Sequence, residues 1–150
     1  MAINEKVEFD IDAPASLAYA TLLDVEALPE WSSSHKSATV VERDAAGNPS
    51  LVKVEAGLMG ISDSLTFRYE FTPETKVAWQ SEGEGMAVKS QGGFYQLTPI
   101  GDDKVHVVVD MHIDLKVKLP GFVVKKGVKM SAEIASKGFT KEVLKRKAAQ

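Results

Sequence analysis

At 150 residues, 44% hydrophobic and 26% charged, the chain has an ordinary globular composition and enough length to bury roughly 70% of its unfolded surface in one core. It contains no cysteine, which excludes disulfides, thiolate nucleophiles and thiolate metal sites. The net charge of −3 hides an asymmetry: Lys125, Lys126, Lys129, Lys137, Lys141, Lys145, Arg146 and Lys147 stand against only Glu133 and Glu142 near the C-terminus of an otherwise acidic chain. No apolar run reaches the roughly 18 residues of a membrane span. Met1-Ala2-Ile3-Asn4-Glu5-Lys6-Val7 has neither the basic nor the apolar region of a secretory signal. A single cytoplasmic domain over residues 1–150 is expected.

The chain opens on a two-residue alternation, Val7, Phe9 and Ile11 against Glu8, Asp10 and Asp12, which predicts a half-buried strand. Pro14 suits a helix start. Leu17, Ala18, Thr21 and Leu22 then recur at helical spacing. Asp24 is placed to cap a second short helix ending near Trp31. Six strands are expected in a meander, near 36–44, 50–58, 62–72, 76–82, 86–98 and 104–118. The last is the clearest, with Val105, Val107, Val109, Met111, Ile113, Leu115 and Val117 on one face. One wet face and one dry face mark an antiparallel sheet, and so long a strand implies strong twist and bend. Gly92-Gly93 is the expected site of a bulge.

Pro120-Gly121 ends that strand, and a helix is predicted from about Phe122 to Lys147. Its inward arc is small at the centre (Gly127, Ser131, Ala135 and Gly138). Small inward residues let a helix press tightly on a sheet or leave a void behind them. Strong sheet curvature favours the void, against the general tendency of interiors to fill. The lysine arc reads as a solvated helix face or as a surface for transient contact with anionic membrane.

Successive turns of a meander alternate between the two ends of the sheet. One end receives polar turns. The other receives Gly57-Leu58-Met59-Gly60-Ile61, Glu82-Gly83-Glu84-Gly85-Met86 and Leu119-Pro120-Gly121-Phe122-Val123-Val124. Apolar side chains at three turns on one end point to the mouth of a binding cavity, or else plug that end of the core.

The strand ending in Ile11-Asp12-Ala13-Pro14, the helix after it, and Asp24-Val25-Glu26-x-Leu28-Pro29-Glu30-Trp31 resemble the opening of the polyketide cyclase/dehydrase and lipid-transport proteins. These belong to the START-like (SRPBCC, birch-pollen-allergen-like) superfamily. Val77-Ala78-Trp79, Gly92-Gly93-Phe94-Tyr95 and Leu119-Pro120-Gly121 follow in similar order. The resemblance implies an α+β helix-grip fold, with a seven-stranded curved antiparallel sheet around a long C-terminal helix and two short helices between strands 1 and 2. It also implies a cavity for a hydrophobic small molecule, such as a lipid, quinone or polyketide-like compound. The functions it spans are binding or transport and polyketide cyclisation or dehydration; a protein-interaction module using the apolar rim is a third reading. Fold alone does not choose among them.

Acid–base catalysis needs a titratable group facing the substrate. His106, Asp110, His112 and Asp114 fall on the wet face of the last strand, so no metal site is expected. His35 and Tyr69 are the weak catalytic candidates, and a binder without catalysis is favoured. Phosphate-loop, dinucleotide and hydrolase motifs are absent, and no cofactor is expected. Outward strand positions lack a basic, aromatic-rich face, so nucleic acid is not expected as a partner. The expected ligand-binding residues are Trp31, Leu58, Met59, Phe67, Tyr69, Phe71, Trp79, Met86, Val88, Tyr95, Val109, Met111, Ile113, Phe122, Ser131, Ile134 and Ala135. Tyr69, Tyr95, Ser90 and Ser131 supply hydroxyls to orient a mostly apolar guest.

Overall fold

The computed structural model describes residues 1–150. β1 (Ala2–Ile11) leads into helix α1 (Ala15–Leu23), a 3₁₀ turn (Val25–Ala27) and the single-turn helix α2 (Leu28–Trp31). Strands β2 (His35–Arg43), β3 (Pro49–Leu58), β4 (Ile61–Thr72), β5 (Lys76–Glu82), β6 (Val88–Pro99) and β7 (Val105–Leu115) follow. They form one antiparallel sheet in the order β1-β7-β6-β5-β4-β3-β2. The C-terminal helix comprises α3 (Gly121–Glu133), a π turn (Ile134–Gly138) and α4 (Phe139–Ala148). This is the helix-grip arrangement.

Several boundaries differ from the expected ones. β1 starts at Ala2, so its inner face reads Ile3, Glu5, Val7, Phe9 and Ile11, paired with Ile113, Met111, Val109, Val107 and Val105 of β7. β7 stops at Leu115, leaving Val117 outside the strand. The register shift in β6 lies between Val88 and Ser90, not at Gly92-Gly93. One extra residue there reverses the alternation. Gln91 consequently pairs with inward Ile113, and Ser90 with outward Asp114. Gly93, opposite Met111, allows close approach: a Cβ there would collide with the carbonyl oxygen of Asp110. Asp24 makes no cap hydrogen bond; its carboxylate instead pairs with Arg146 at 3.0 Å. Arg146 also donates to Glu142 at 2.8 Å, and Glu142 is buried.

The interior divides along the helix. At the α4 end, Phe139 and Val143 pack among Ile11, Leu17, Leu22, Leu97, Val105 and Val107. A chain of rings crosses this half from Phe71 through Tyr69, Trp79, Tyr95 and Phe139 to Trp31, with successive centroids 5.0–6.3 Å apart. Each such pair adds about 0.5–1.5 kcal/mol beyond area burial. Tyr95 donates its hydroxyl to the carbonyl of Ala135 at 3.0 Å, within the π turn. At the other end, α3 has no buried residue at all. A second cluster, Val52, Val54, Leu65, Phe67, Val88 and Leu115 of the sheet with Val25 of the 3₁₀ turn, lies below it.

Candidate functional site

α3 presents valines interrupted by Gly127 and Ser131, with no ring to match Phe139 of α4, and it does not close on the sheet. The result is a cavity of about 220 Å³ between α3 and the strands. Its α3 wall is Val123, Val124, Gly127, Val128 and Ser131; its sheet wall includes Ile3, Val54, Leu65, Phe67, Val88, Met111, Ile113 and Leu115.

Rim geometry is set by turn chemistry. Met59 and Gly60 have φ of 53° and 80° between paired Leu58 and Ile61. Two successive left-handed residues match the twist of a tight hairpin. A left-handed methionine costs about 1–2 kcal/mol, and Met59 Sδ lies 3.6 Å from where a Cβ on Gly127 would stand. The β5–β6 turn is fastened differently. Asp63, inward on β4 opposite Ala56, accepts from the amides of Met86, Ala87 and Val88, each at 2.9 Å, and from Ser64 at 2.9 Å. Burial pushes the Asp63 carboxyl up, but these four backbone donors together hold it below its ordinary value. A Cβ on Gly85 would overlap the same carboxylate, so the turn and the acid fit only with glycine there.

Two polar groups face the cavity from opposite edges of the sheet. His35, the first residue of β2, lies with Nδ1 2.6 Å from Ser32 Oγ. Burial pulls its imidazole down to about 4, so it is neutral at physiological pH. Glu5, on β1, accepts from Ser131 Oγ at 2.6 Å through Oε1, while Oε2 is buried without a protein partner. Burial raises its carboxyl, and the Ser131 hydrogen bond opposes the rise only in part.

Of the expected ligand-binding set, the structure brings Leu58, Met59, Phe67, Val88, Met111, Ile113 and Ser131 to the cavity, together with His35. Trp31, Phe71, Tyr95, Val109 and Ala135 instead pack at the α4 end, with Ile134 in the π turn above them, and Tyr69 and Trp79 lie between the two clusters without lining the cavity. The reason is local. Large rings met by Phe139 fill their half of the interior, and cavity space is left only where the helix presents small residues. Tyr69 does not line the cavity. Met86 and Phe122 are 90% and 76% exposed and project outward from the rim. Ser90 faces outward for the bulge reason given above. Glu5 and Gln91 escaped sequence reasoning. Carrying the odd-numbered alternation of β1 back beyond Val7 would have exposed Glu5 as an inward acid. Gln91 needed the bulge position, which no residue type announced. On the outer face, His106 lies 2.7 Å from Asp10 and 3.8 Å from Glu8, a cross-strand surface pairing. No cluster of three or more metal-ligating side chains occurs.

No helix is long and apolar enough to cross a membrane. Known structures share the architecture. A START superfamily protein from Mycobacterium smegmatis superposes with TM-score 0.81 at 23% identity, over 96% of this chain and 97% of that one. The Zhui aromatase/cyclase from Streptomyces sp. R1128 gives 0.82 at 14% identity, over 97% and 96%. A Thermus thermophilus protein gives 0.77 at 24% identity, over 96% and 99%. At these identities the likeness concerns the fold. No curated protein matches the chain at a significant level. The family model for polyketide cyclase/dehydrase and lipid-transport proteins matches residues 11–137, and with the helix-grip fold and its cavity this places the chain in that family.

Proposed function

We propose that the chain binds a hydrophobic small molecule in the cavity under α3 and carries it without chemical change. One observation supports this most: apolar residues of α3 and five strands surround about 220 Å³ that the protein does not fill, although close packing is the norm for interiors. Transfer occurs at the rim. Met86 and Phe122 project there, with Lys118, Lys125, Lys126 and Lys129 nearby in sequence and free of ion pairs. Apolar tips surrounded by cations suit transient contact with an anionic lipid surface. Native mass spectrometry on protein purified from its own host tests the carrier reading. A co-purifying apolar species is expected, and it disappears in Gly127→Leu, whose side chain enters the cavity. Apo mass alone, together with no uptake of added apolar probes, would overturn it. Flotation with phosphatidylserine vesicles that is unchanged by Phe122→Glu and Met86→Glu would remove the membrane step.

The alternative reading is a cyclase or dehydratase, favoured by a neutral imidazole and a carboxyl of raised pKa at the same cavity. It requires turnover of a polyketone substrate that collapses in His35→Ala while ligand uptake persists.

A further inference from the structure

Along the inner face of β1, four apolar side chains flank one acid: Ile3, Glu5, Val7, Phe9 and Ile11. Glu5 Oε1 is held by Ser131, whereas Oε2 is buried with no protein partner. Such an atom costs about 1–3 kcal/mol, so an apolar residue in this slot would give a more stable protein. The other acid of the wall, Asp63, has both oxygens occupied by backbone amides. No lysine or arginine lines the cavity; its two histidines are His112 and His35, and His35 supplies no positive charge at neutral pH. An anionic head, such as a fatty-acid carboxylate, would therefore meet two carboxylates and no lysine or arginine.

We propose that Glu5, braced by Ser131, anchors the hydroxyl of a small, neutral, otherwise apolar ligand, a phenol or alcohol about two fused rings in size. This rests on the carrier reading of the cavity and adds the chemistry of its guest. A hydroxyl is the head group that serves either state of the acid: it donates to the carboxylate and accepts from the carboxylic acid. A carbonyl serves only the second, an ammonium only the first. Size follows from volume. A cavity of about 150 Å³ accepts benzene, so about 220 Å³ accommodates a second ring.

Equilibrium dialysis of the full chain at neutral pH against naphthalene, 2-naphthol and 2-naphthoate tests this. 2-Naphthol should bind about tenfold or more tighter than naphthalene, the effect of one hydrogen bond to a charged or strongly polar group, and naphthoate most weakly. In Glu5→Leu the naphthol advantage should vanish, naphthalene should bind as in the parent, and the melting temperature should not fall. If naphthol and naphthalene bind equally to the parent, or naphthoate binds best, the assignment of Glu5 is overturned and the carrier reading stands. Persistence of the naphthol advantage in Glu5→Leu overturns it equally. If none of the three binds, the carrier reading fails and takes this inference with it. The three-probe ranking on the parent decides even if the leucine variant does not fold.

Discussion

Two glycines in the C-terminal helix should respond oppositely to the same substitution. Gly127 and Gly138 both have helical backbone, and alanine is favoured over glycine by about 1 kcal/mol in a helix interior. The surroundings differ. A Cβ on Gly127 would meet only Met59 Sδ at 3.6 Å, ordinary contact with the end of a flexible side chain. A Cβ on Gly138 would stand 2.9 Å from the carbonyl oxygen of Trp31, a backbone atom at the end of α2 that cannot yield without moving that helix. Overpacking of this kind costs about 1–3 kcal/mol. Because the propensity gain is common to both variants, their difference isolates the steric term. Gly127→Ala should melt about 2–4 °C above the parent, and Gly138→Ala should fall below Gly127→Ala by about 2–4 °C for each kcal/mol of strain. Calorimetry or circular dichroism reads both. If Gly138→Ala matched or exceeded Gly127→Ala, the contrast between a tightly seated π turn and a loosely seated α3 would be refuted.

The histidines should titrate far apart. In an NMR pH titration His35 should stay neutral to about pH 4, because burial opposes its charge, while His106, hydrogen-bonded to Asp10, should titrate above its ordinary value. Since unfolding frees His35 to take a proton near 6.5, stability should decline as pH falls from about 6.5 toward 4, by about 3 kcal/mol from this group; a His35 that titrates near 6.5 removes that term. Asp63→Ala should accelerate hydrogen exchange at the amides of Met86, Ala87 and Val88, and Gly85→Ala should do so too by displacing the carboxylate. Asp63 is held low, so its stabilisation is present above its unfolded value and is lost as pH falls through the folded one; unchanged exchange in both variants contradicts the fastening described. Tyr95→Phe should lower stability by about 1 kcal/mol, or roughly 2–4 °C, through loss of the bond to Ala135; an unchanged melting temperature would show that bond to contribute nothing.

The fold was legible because its determinants are local and periodic. The alternation through β7, the turn residues between strands and the proline before α3 each declare an element without reference to the rest of the chain. The existence of a cavity was half-legible, since Gly127, Ser131, Ala135 and Gly138 suggest open space but do not say where it lies. Pairing decides that. Ala135 and Gly138 sit above Tyr95 and Trp31, which consume the space, while Gly127 and Ser131 sit above valines, leucines and Met111, which do not. Large aromatics therefore looked like cavity walls when they are the filling of the other half. Strand parity produced a further error: one bulge residue moved Ser90 outward and Gln91 inward, and no composition rule locates a bulge.

That division bears on how the cavity persists. An isolated void lined by flexible side chains tends to collapse, and its cost grows with its volume. Here the packed half acts as a spacer. Phe139, packed edge-on against Tyr95 and tilted against Trp31 with centroid distances of 5.0 and 5.4 Å, holds the helix at a fixed height above the sheet. Tyr95 anchors that height by bonding Ala135 inside the π turn. α3, continuing beyond the spacer with Gly127 and Ser131 set among three inward valines, is kept off strands that it would otherwise approach. Ser131 then reaches Glu5 at 2.6 Å, a polar brace across the gap that a collapsed helix would not need. Stability resides in one half of the interior and ligand capacity in the other. Substitutions at Phe139 should thus disturb binding without touching the guest, whereas substitutions at Gly127 should alter binding with little loss of stability.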